Sequence, residues 1–423
     1  MSQTTAHQES MPTFACDTAR AGDGFVGLRF EEKEKRLKIY FPMGFNLAKE
    51  NDEDYHKKRR KDVLKLISVL SSFGNEKKEQ GFYYKEANAV KDENVFPIHS
   101  YLYVVSEFLT HGYYTEVDDV YRKSDSGKIN WARTIKHIKP LVSENGLFYS
   151  EFITKKTNHN ENELITKIHK WCVYESFLKI GFLFCSFLPQ KPALTFNASF
   201  FRTIILAKIA ETFNEKTLML LHHILNIVEY RDKNKDSTID CFGTCHFHVV
   251  WEKMIDSIFG IADKTEFQPQ GTWFIDGEPH SNSVLLPDTV MKVSPEDGRV
   301  FILDSKYYPY GLNQKNADGL PATSDMLKQV AYAEHVEEEL GCNASQIFNA
   351  FLMPYESKEC VSGGAVPCKY SGHAKLIWKN ERSSKPYQEI RGILLDTRWV
   401  MENCSTHNDD AIEKLAEMIE NKG

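Results

Sequence analysis

The stretch LLPDTVMKVSPEDGRVFILDSKYY, residues 285–308, constrains the fold more than any other part of this sequence. Two apolar segments centred on Val290 and Ile302 flank the turn-forming residues SPEDG, which predicts a β-hairpin. Symmetric pairing about Glu296 gives these expected partners: Met291 with Phe301, Val293 with Arg299, and Asp288 with Asp304. Charged residues therefore stand inside the most strand-like part of the chain, where an unpaired charge is costly to bury.

The predicted hairpin brings two carboxylates and one ammonium group together. Directly opposed residues of an antiparallel pair have Cβ atoms about 5 Å apart, so Asp288 and Asp304 are expected to face each other. Lys306, two residues further along, points to the same face of the sheet. Two carboxylates this close repel each other, which raises the pKa of one of them.

A divalent cation removes this repulsion. Mg²⁺ prefers oxygen ligands and keeps several waters, so we predict a magnesium site formed by Asp288, Asp304 and the Ser305 carbonyl, with Mn²⁺ as a substitute. Such a metal polarises a phosphoryl group and lowers the pKa of a bound water, while Lys306 orients that water or helps to deprotonate it. The alternative interpretation is a structural Asp–Lys pair at a sheet edge. Against it, both strands are apolar enough to be buried on both faces, where stray charges are expensive.

The spacing of these residues resembles a known catalytic motif. Pro287-Asp288, fifteen intervening residues and Asp304-Ser305-Lys306 are similar to the motif of the PD-(D/E)xK nuclease superfamily. The resemblance implies that Asp288, Asp304 and Lys306 are catalytic and that the substrate is a nucleic acid.

The same resemblance adds three candidate catalytic residues on neighbouring helices. Glu252, in a helix predicted before the sheet, matches the position from which many members supply a further acidic residue; the alternative is a plain surface glutamate. Gln329 and Tyr332, in a helix predicted after the sheet, resemble the Gln/Tyr pair of the RecB-like branch. Their spacing is i,i+3 where that branch usually has i,i+4, and both spacings keep the pair on one helix face.

Further segments narrow the resemblance to the LlaJI family of restriction endonucleases, whose nuclease chain is similar to McrC. Over roughly residues 125–355 they are, in order, GKINWARTIKHIKP, LITKIHKWCVYESF, FGTCHFHVVWEKMIDSIFG, PDTV, ILDSKYY and KQVAYAEHV. The resemblance implies cleavage of double-stranded DNA, a cognate DNA methyltransferase in the same restriction system, and a McrB-like AAA+ GTPase partner. The sequence has no Walker A motif, so nucleotide hydrolysis is expected from the partner.

Charge is distributed unevenly along the chain. Residues 241–423 contain 17 Lys and Arg against 27 Asp and Glu, a net charge of −10, which leaves +3 for residues 1–240. Because phosphate contacts dominate DNA affinity, we expect the C-terminal part to bind free DNA poorly by itself. Two alternatives stay open: a stand-alone type II endonuclease with its recognition domain in residues 1–240, and a catalytically silent assembly subunit that stimulates the motor. The intact Asp, Asp, Lys set argues against the silent subunit.

Hydrophobic patterning predicts an α/β fold class, more fully an α+β chain of several domains. The four expected segments are a disordered N-terminus at 1–20, an α+β region and candidate motor-docking domain at 21–125, a mainly helical region at 126–240, and a nuclease domain at 241–423. For the last, the resemblance implies a restriction-endonuclease-like mixed-sheet core flanked by helices.

Targeting signals and cysteine usage indicate the cellular compartment of the protein and the redox state of its thiols. No run of 18 apolar residues occurs and the first twenty residues lack the apolar stretch of a signal peptide, so we expect a cytoplasmic protein without membrane contact. Nine cysteines, an odd number, favour reduced thiols over a disulfide framework. Cys241, Cys245, His246 and His248 lie close enough to suggest zinc, but they lack the two well-spaced ligand pairs of a structural site.

Overall fold

The computed structural model describes residues 13–19, 24–31, 33, 36–49, 52, 54–73, 96–143, 146–160, 163–237, 239–294, 296–313, 317, 319–357, 366–377 and 385–421. These residues form two compact units. We call residues 96–237 the inserted unit, and residues 13–73 together with 239–421 the discontinuous unit. Residues 1–12 and Pro295, the latter in the predicted hairpin loop, lie outside the described residues.

The first part of the discontinuous unit contains three strands and one helix. They are β1 Thr13–Thr18, β2 Val26–Glu31, β3 Arg36–Phe41 and α1 Tyr55–Phe73. β2 pairs antiparallel with β3. The structure corrects the expectation of a disordered segment at 1–20 for residues 13–18, because β1 pairs in parallel with β3.

The inserted unit combines helices with short strands. Its elements are α2 Ile98–His111, β4 Glu116–Lys123, β5 Lys128–Ile129, α3 Trp131–His137, β6 Leu141–Ser143, β7 Gly146–Phe148, β8 Ile153–Asn160, α4 Leu164–Ile180, α5 Ala198–Glu211 and α6 Glu215–Lys233. The strands β6, β7 and β8 fall within the region 126–240 that was expected to be mainly helical. β8 has the sequence ITKKTNHN, in which only the first residue is apolar, so its pairing with β4 leaves no alternating pattern to detect.

The second part of the discontinuous unit contains the remaining elements. They are β9 Ile239–Thr244, α7 Phe247–Phe259, β10 Gln270–Ile275, β11 Glu278–Val284, β12 Thr289–Met291, β13 Val300–Ser305, α8 Tyr310–Asn313, α9 Thr323–Glu338, β14 Ile347–Tyr355, β15 Cys368–Ala374, β16 Ile390–Asp396, α10 Thr397–Asn403 and α11 Asp409–Asn421. Among the described residues no helix is long and apolar enough to span a membrane.

A five-stranded mixed sheet forms the centre of this unit, in the order β12-β13-β14-β16-β15. The three central strands are parallel to one another, and β12 and β15 lie antiparallel at the edges. Helix α9 packs against β13 and β14 through the buried residues Val330 and Ala333, which contact Ile302 and Phe351 in one apolar cluster. The mixed α/β fold class expected from the sequence is confirmed, including the mixed sheet near the C-terminus.

The two parts of the discontinuous unit are joined by strand pairing. β2 pairs antiparallel with β9, so that Gly27 lies opposite Gly243. A Cβ at either glycine would lie 2.2 Å from a backbone oxygen of the facing strand, so both positions need glycine. The backbone N–H of Met43 also donates to the Tyr307 hydroxyl at 2.6 Å, next to the predicted site.

This grouping differs from the linear division expected from the sequence. Residues 13–73 share a unit with the C-terminal sheet, although the sequence division kept 21–125 separate from 241–423. Residue 125, an expected boundary, lies in the turn between β4 and β5, which both pair with β8. Strand pairing across about 200 residues has no local sequence signature, which explains the difference.

Candidate active site

The predicted hairpin register is confirmed where the two strands pair. Thr289 lies opposite Leu303 and Met291 opposite Phe301. The expected partners Val293 and Arg299 are not part of the ladder, because β12 ends at Met291. All six residues of β13 are buried, including Asp304, which is 6% exposed.

Asp288 and Asp304 lie side by side at the end of this strand pair. The backbone N–H of Ser305 donates to Asp288 Oδ2 at 2.9 Å, which fixes the Asp288 carboxylate against the end of β13. Burial, the nearby charge of Asp288 and a hydrogen bond between the two side chains raise the pKa of Asp304 to about 8 from its ordinary value of 3.8. The predicted carboxylate repulsion is therefore present.

Lys306 is held by two acidic side chains. Its Nζ lies 3.0 Å from Asp304 Oδ1 and 3.1 Å from Asp325 Oδ1. Burial by itself would lower the pKa of Lys306, but Asp304 and Asp325 outweigh it and the pKa is raised. Lys306 is thus a fixed positive charge beside the aspartate pair.

The oxygen atoms of Asp288 and Asp304 fit a hard divalent cation whose remaining ligands are water and substrate. The buried Oδ1 of Asp304 accepts no hydrogen bond from the described residues, because Lys306 approaches it at an unsuitable angle. Within the described ranges no group of three or more His, Cys, Asp or Glu side chains is arranged to hold a metal, at this site or around the Cys241 and His246 region. Two carboxylates completed by water and a substrate phosphate suit Mg²⁺ and do not suit structural zinc.

Tyr332 and Gln329, both on α9, have different surroundings. The Tyr332 hydroxyl donates to the backbone oxygen of Leu286 at 2.8 Å, and burial followed by Asp288 and Asp304 raises its pKa to about 12. Tyr332 therefore lies close enough to Asp288 and Asp304 for an electrostatic interaction with them. Gln329 is fully buried, and neither polar atom of its side chain has a hydrogen-bond partner among the described residues.

The helix α7 reaches the site loop one turn beyond Glu252. Asp256 Oδ1 lies 2.9 Å from Lys264 Nζ, and Lys264 Nζ donates to the backbone oxygen of Asp288 at 2.7 Å. This link from α7 to Asp288 was not expected from the sequence. Glu252 is half-buried on the same helix, and its catalytic role stays a prediction.

Sequence reasoning missed Asp325 and Lys264. Asp325 lies in the first turn of α9, where acidic residues are common for helix stability, so its type and position gave no hint of a partner elsewhere. The helix begins at Thr323, and Asp325 Oδ2 accepts the backbone N–H of Ala322 at 2.9 Å. The one available clue to Asp325 was the buried position expected for Lys306, since a buried lysine is often paired with more than one acidic side chain.

Comparison with known proteins supplies the family. Residues 25–365 match the LlaJI restriction endonuclease family, which covers most of the chain. The chain belongs to this family.

Two known proteins resemble parts of the chain or its structure. The chain is 27% identical over 257 residues to the type II restriction enzyme BsuMI component YdjA of Bacillus subtilis (strain 168), a match over 57% of this chain and 55% of that protein. It thus spans about half the length of this relative. A structure of a Thermococcus gammatolerans tetradecameric assembly of McrB AAA+ hexamers with bound McrC has 12% identity and a TM-score of 0.32, covering 93% of this chain and 83% of that chain. A TM-score this low does not define a shared fold.

Proposed function

We propose that the chain is the endonuclease subunit of a phage-defence restriction system and hydrolyses phosphodiester bonds of double-stranded DNA with Mg²⁺. The observation that carries the proposal is the contact between the Asp288 and Asp304 carboxylates with Lys306 Nζ 3.0 Å from Asp304. A structural ion pair would need one carboxylate and one cation. The second carboxylate, which together with burial raises the pKa of the first, is best explained by a cation that both of them hold.

Each residue has a distinct task in this proposal. Asp288 and Asp304, with the Ser305 carbonyl, hold Mg²⁺, or Mn²⁺ in its place. The bound metal supplies Lewis-acid polarisation of the phosphoryl group and a water of lowered pKa. Lys306 orients that water and stabilises the negative charge that develops on the phosphate. Tyr332, through its bond to Leu286, keeps the segment that leads into Asp288 in place.

We further propose that DNA is presented by a partner, a McrB-like AAA+ GTPase. Residues 241–423 carry a net charge of −10, so the electrostatic contacts that supply most non-specific DNA affinity are missing there. A translocating ring that holds the duplex would replace them. The name of the Bacillus relative, a component of a type II restriction enzyme, supports an activity divided over several chains. A cognate DNA methyltransferase belongs to the same proposal, since host DNA needs protection.

The docking role of residues 21–125 cannot be tested by simple deletion. β2 is the pairing partner of β9, and Met43 donates to Tyr307 beside the site. Removal of residues 1–125 would therefore unfold part of the discontinuous unit in addition to removing any docking surface. Loss of cleavage in such a truncated chain would not identify a motor contact.

Cleavage of a plasmid library tests the proposal. The purified chain is incubated with Mg²⁺, alone and then with its AAA+ partner and GTP, beside Asp304→Asn and the control Lys38→Ala. Lys38 pairs with Glu31 at 2.7 Å in the N-terminal sheet and is matched to Lys306 in being ion-paired and partly buried. We expect little cleavage by the chain alone, cleavage when partner and GTP are added, none by Asp304→Asn, and normal cleavage by Lys38→Ala.

Two outcomes would contradict parts of the proposal. Full cleavage by a folded Asp304→Asn variant would remove the site assignment. Site-specific cutting by the chain alone at nanomolar concentration, without nucleotide, would remove the partner and favour the stand-alone type II endonuclease.

A further inference from the structure

The ammonium group of Lys306 is shared by carboxylates from two different elements. Asp304 precedes it by two residues at the end of β13, and Asp325 comes from the first turn of α9. The Nζ lies 3.0 Å from the former and 3.1 Å from the latter. Both contacts are shielded from solvent, since the Lys306 and Asp325 side chains are 19% and 13% exposed.

Asp304 and Asp325 differ in whether they also bind the metal. Under the proposed function, on which this inference rests, Asp304 and Asp288 hold Mg²⁺. A divalent cation on Asp304 competes with Lys306 for the same carboxylate and repels its ammonium group. Asp325 contacts Lys306 and the backbone N–H of Ala322, so its carboxylate can stay in contact with the lysine when Asp304 binds the metal.

We infer that Asp325 is a positioning residue, which holds the Lys306 ammonium in the site while Asp304 binds the metal. Without it, a flexible four-carbon side chain would be free to turn away from the cation. Asp325 touches neither the metal nor the DNA in this scheme, and it acts only through Lys306.

Asp325 is well placed for such a task because it is itself fixed. Its Oδ2 accepts the Ala322 N–H at 2.9 Å, which leaves Oδ1 directed at Lys306. Helix α9 is anchored on the sheet by buried residues, and Tyr332 ties the same helix to Leu286, two residues before Asp288. These contacts therefore hold Lys306, the two metal-binding aspartates and Asp325 in one fixed arrangement.

The competing explanation is that Asp325 only caps α9. The two roles use different atoms and can be separated by substitution. Asn keeps an oxygen that can accept the Ala322 N–H, since Asn is a good capping residue, but it removes the negative charge. Glu keeps the charge on a longer side chain. The matched control is Asp396→Asn, because Asp396 is likewise buried, 6% exposed against 9% for Asp325, and caps a helix of this unit by accepting the Trp399 N–H at 2.8 Å.

The experiment measures steady-state cleavage by the full chain under the conditions, including partner and nucleotide, in which the wild type cuts DNA. For Asp325→Asn we expect kcat to fall about 10- to 100-fold, as for other residues that orient a catalytic group. The KM for DNA and the half-saturating Mg²⁺ concentration should stay within about threefold, because neither ligand is touched. Asp325→Glu should recover most of the kcat that Asp325→Asn loses. Asp396→Asn should have the wild-type kcat at any assay temperature at which it is folded.

A second measurement needs no activity. In the metal-free chain, Asp325→Asn and Lys306→Met should each lower the melting temperature, and the double variant should lose less than the sum of the two. Additive losses, or a kcat of Asp325→Asn equal to wild type while Asp304→Asn and Lys306→Ala are inactive, would overturn the inference and leave the proposed function intact. If Asp304→Asn and Lys306→Ala cleave like the wild type, the proposed function itself fails.

Discussion

The raised pKa of Asp304 predicts that the metal-free protein loses stability as the pH rises. The carboxyl has a pKa of about 8 in the folded chain against an ordinary value of 3.8, which corresponds to about 6 kcal/mol between the fully protonated and fully ionised limits. The folded state binds the proton more tightly, so this stability is fully present below about pH 4 and is lost as the pH rises to about 8.

The variant Asp304→Asn replaces the carboxyl with a neutral group of the same shape. At pH 8 it avoids the cost of burying an ionised carboxyl beside Asp288, and the pKa of about 8 already includes the opposing effect of Lys306. In EDTA at pH 8 we therefore expect Asp304→Asn to be more stable than the wild type, by up to about 6 kcal/mol, and this advantage to disappear near pH 4.

Urea unfolding at a series of pH values, followed by tryptophan fluorescence, measures this difference. Trp251 is a suitable reporter because it is fully buried and its ring lies 6.1 Å from that of Tyr307. Saturating Mg²⁺ should stabilise the wild type at pH 8 by RT ln(1 + [Mg²⁺]/Kd), about 2.7 kcal/mol at 100 times Kd, and should leave Asp304→Asn unchanged.

Asp297 provides a control of opposite sign in the same hairpin. Arg299 donates to its carboxylate and lowers its pKa, so Asp297→Asn should cost stability at neutral and high pH and little near pH 3. Parallel pH profiles for the wild type and Asp304→Asn, with no relative gain for the variant at pH 8, would refute the reasoning about the aspartate pair.

Two further predictions concern the lysine and the sheet junction. Lys306→Ala should lower the cleavage rate at least about 100-fold while titration calorimetry finds its Mg²⁺ affinity nearly unchanged, since the lysine is not a ligand; a loss of Mg²⁺ binding as complete as in Asp288→Asn would contradict this division of roles. Leu28→Ala, at a fully buried position of β2 between β3 and β9, should cost about 2–5 kcal/mol and lower the melting temperature of the discontinuous unit together with cleavage. A cleavage-competent chain with an unchanged melting temperature would show that the N-terminal strands do not support the site.

The central part of the site could be predicted because its geometry is local. The turn and the two-residue period of a strand are sufficient to set Asp288 beside Asp304 and Lys306, and fewer than twenty residues separate the first from the last. The helices before and after the hairpin were predictable for the same reason, since each carries its own periodicity. The strands β6, β7 and β8 were not, because β6 and β7 are only three residues long and β8 is almost entirely polar.

The sequence by itself determined the hairpin register, the α/β class and the identity of the two carboxylates and the lysine. Only the tertiary structure decided which distant residues complete that set. Asp325 reaches Lys306 because α9 packs across β13, and residues 13–73 share a unit with the sheet because β2 pairs with β9. Neither contact has a local signature: a first-turn aspartate already has a sufficient reason to be there, and strand pairing depends on backbone groups that every residue carries.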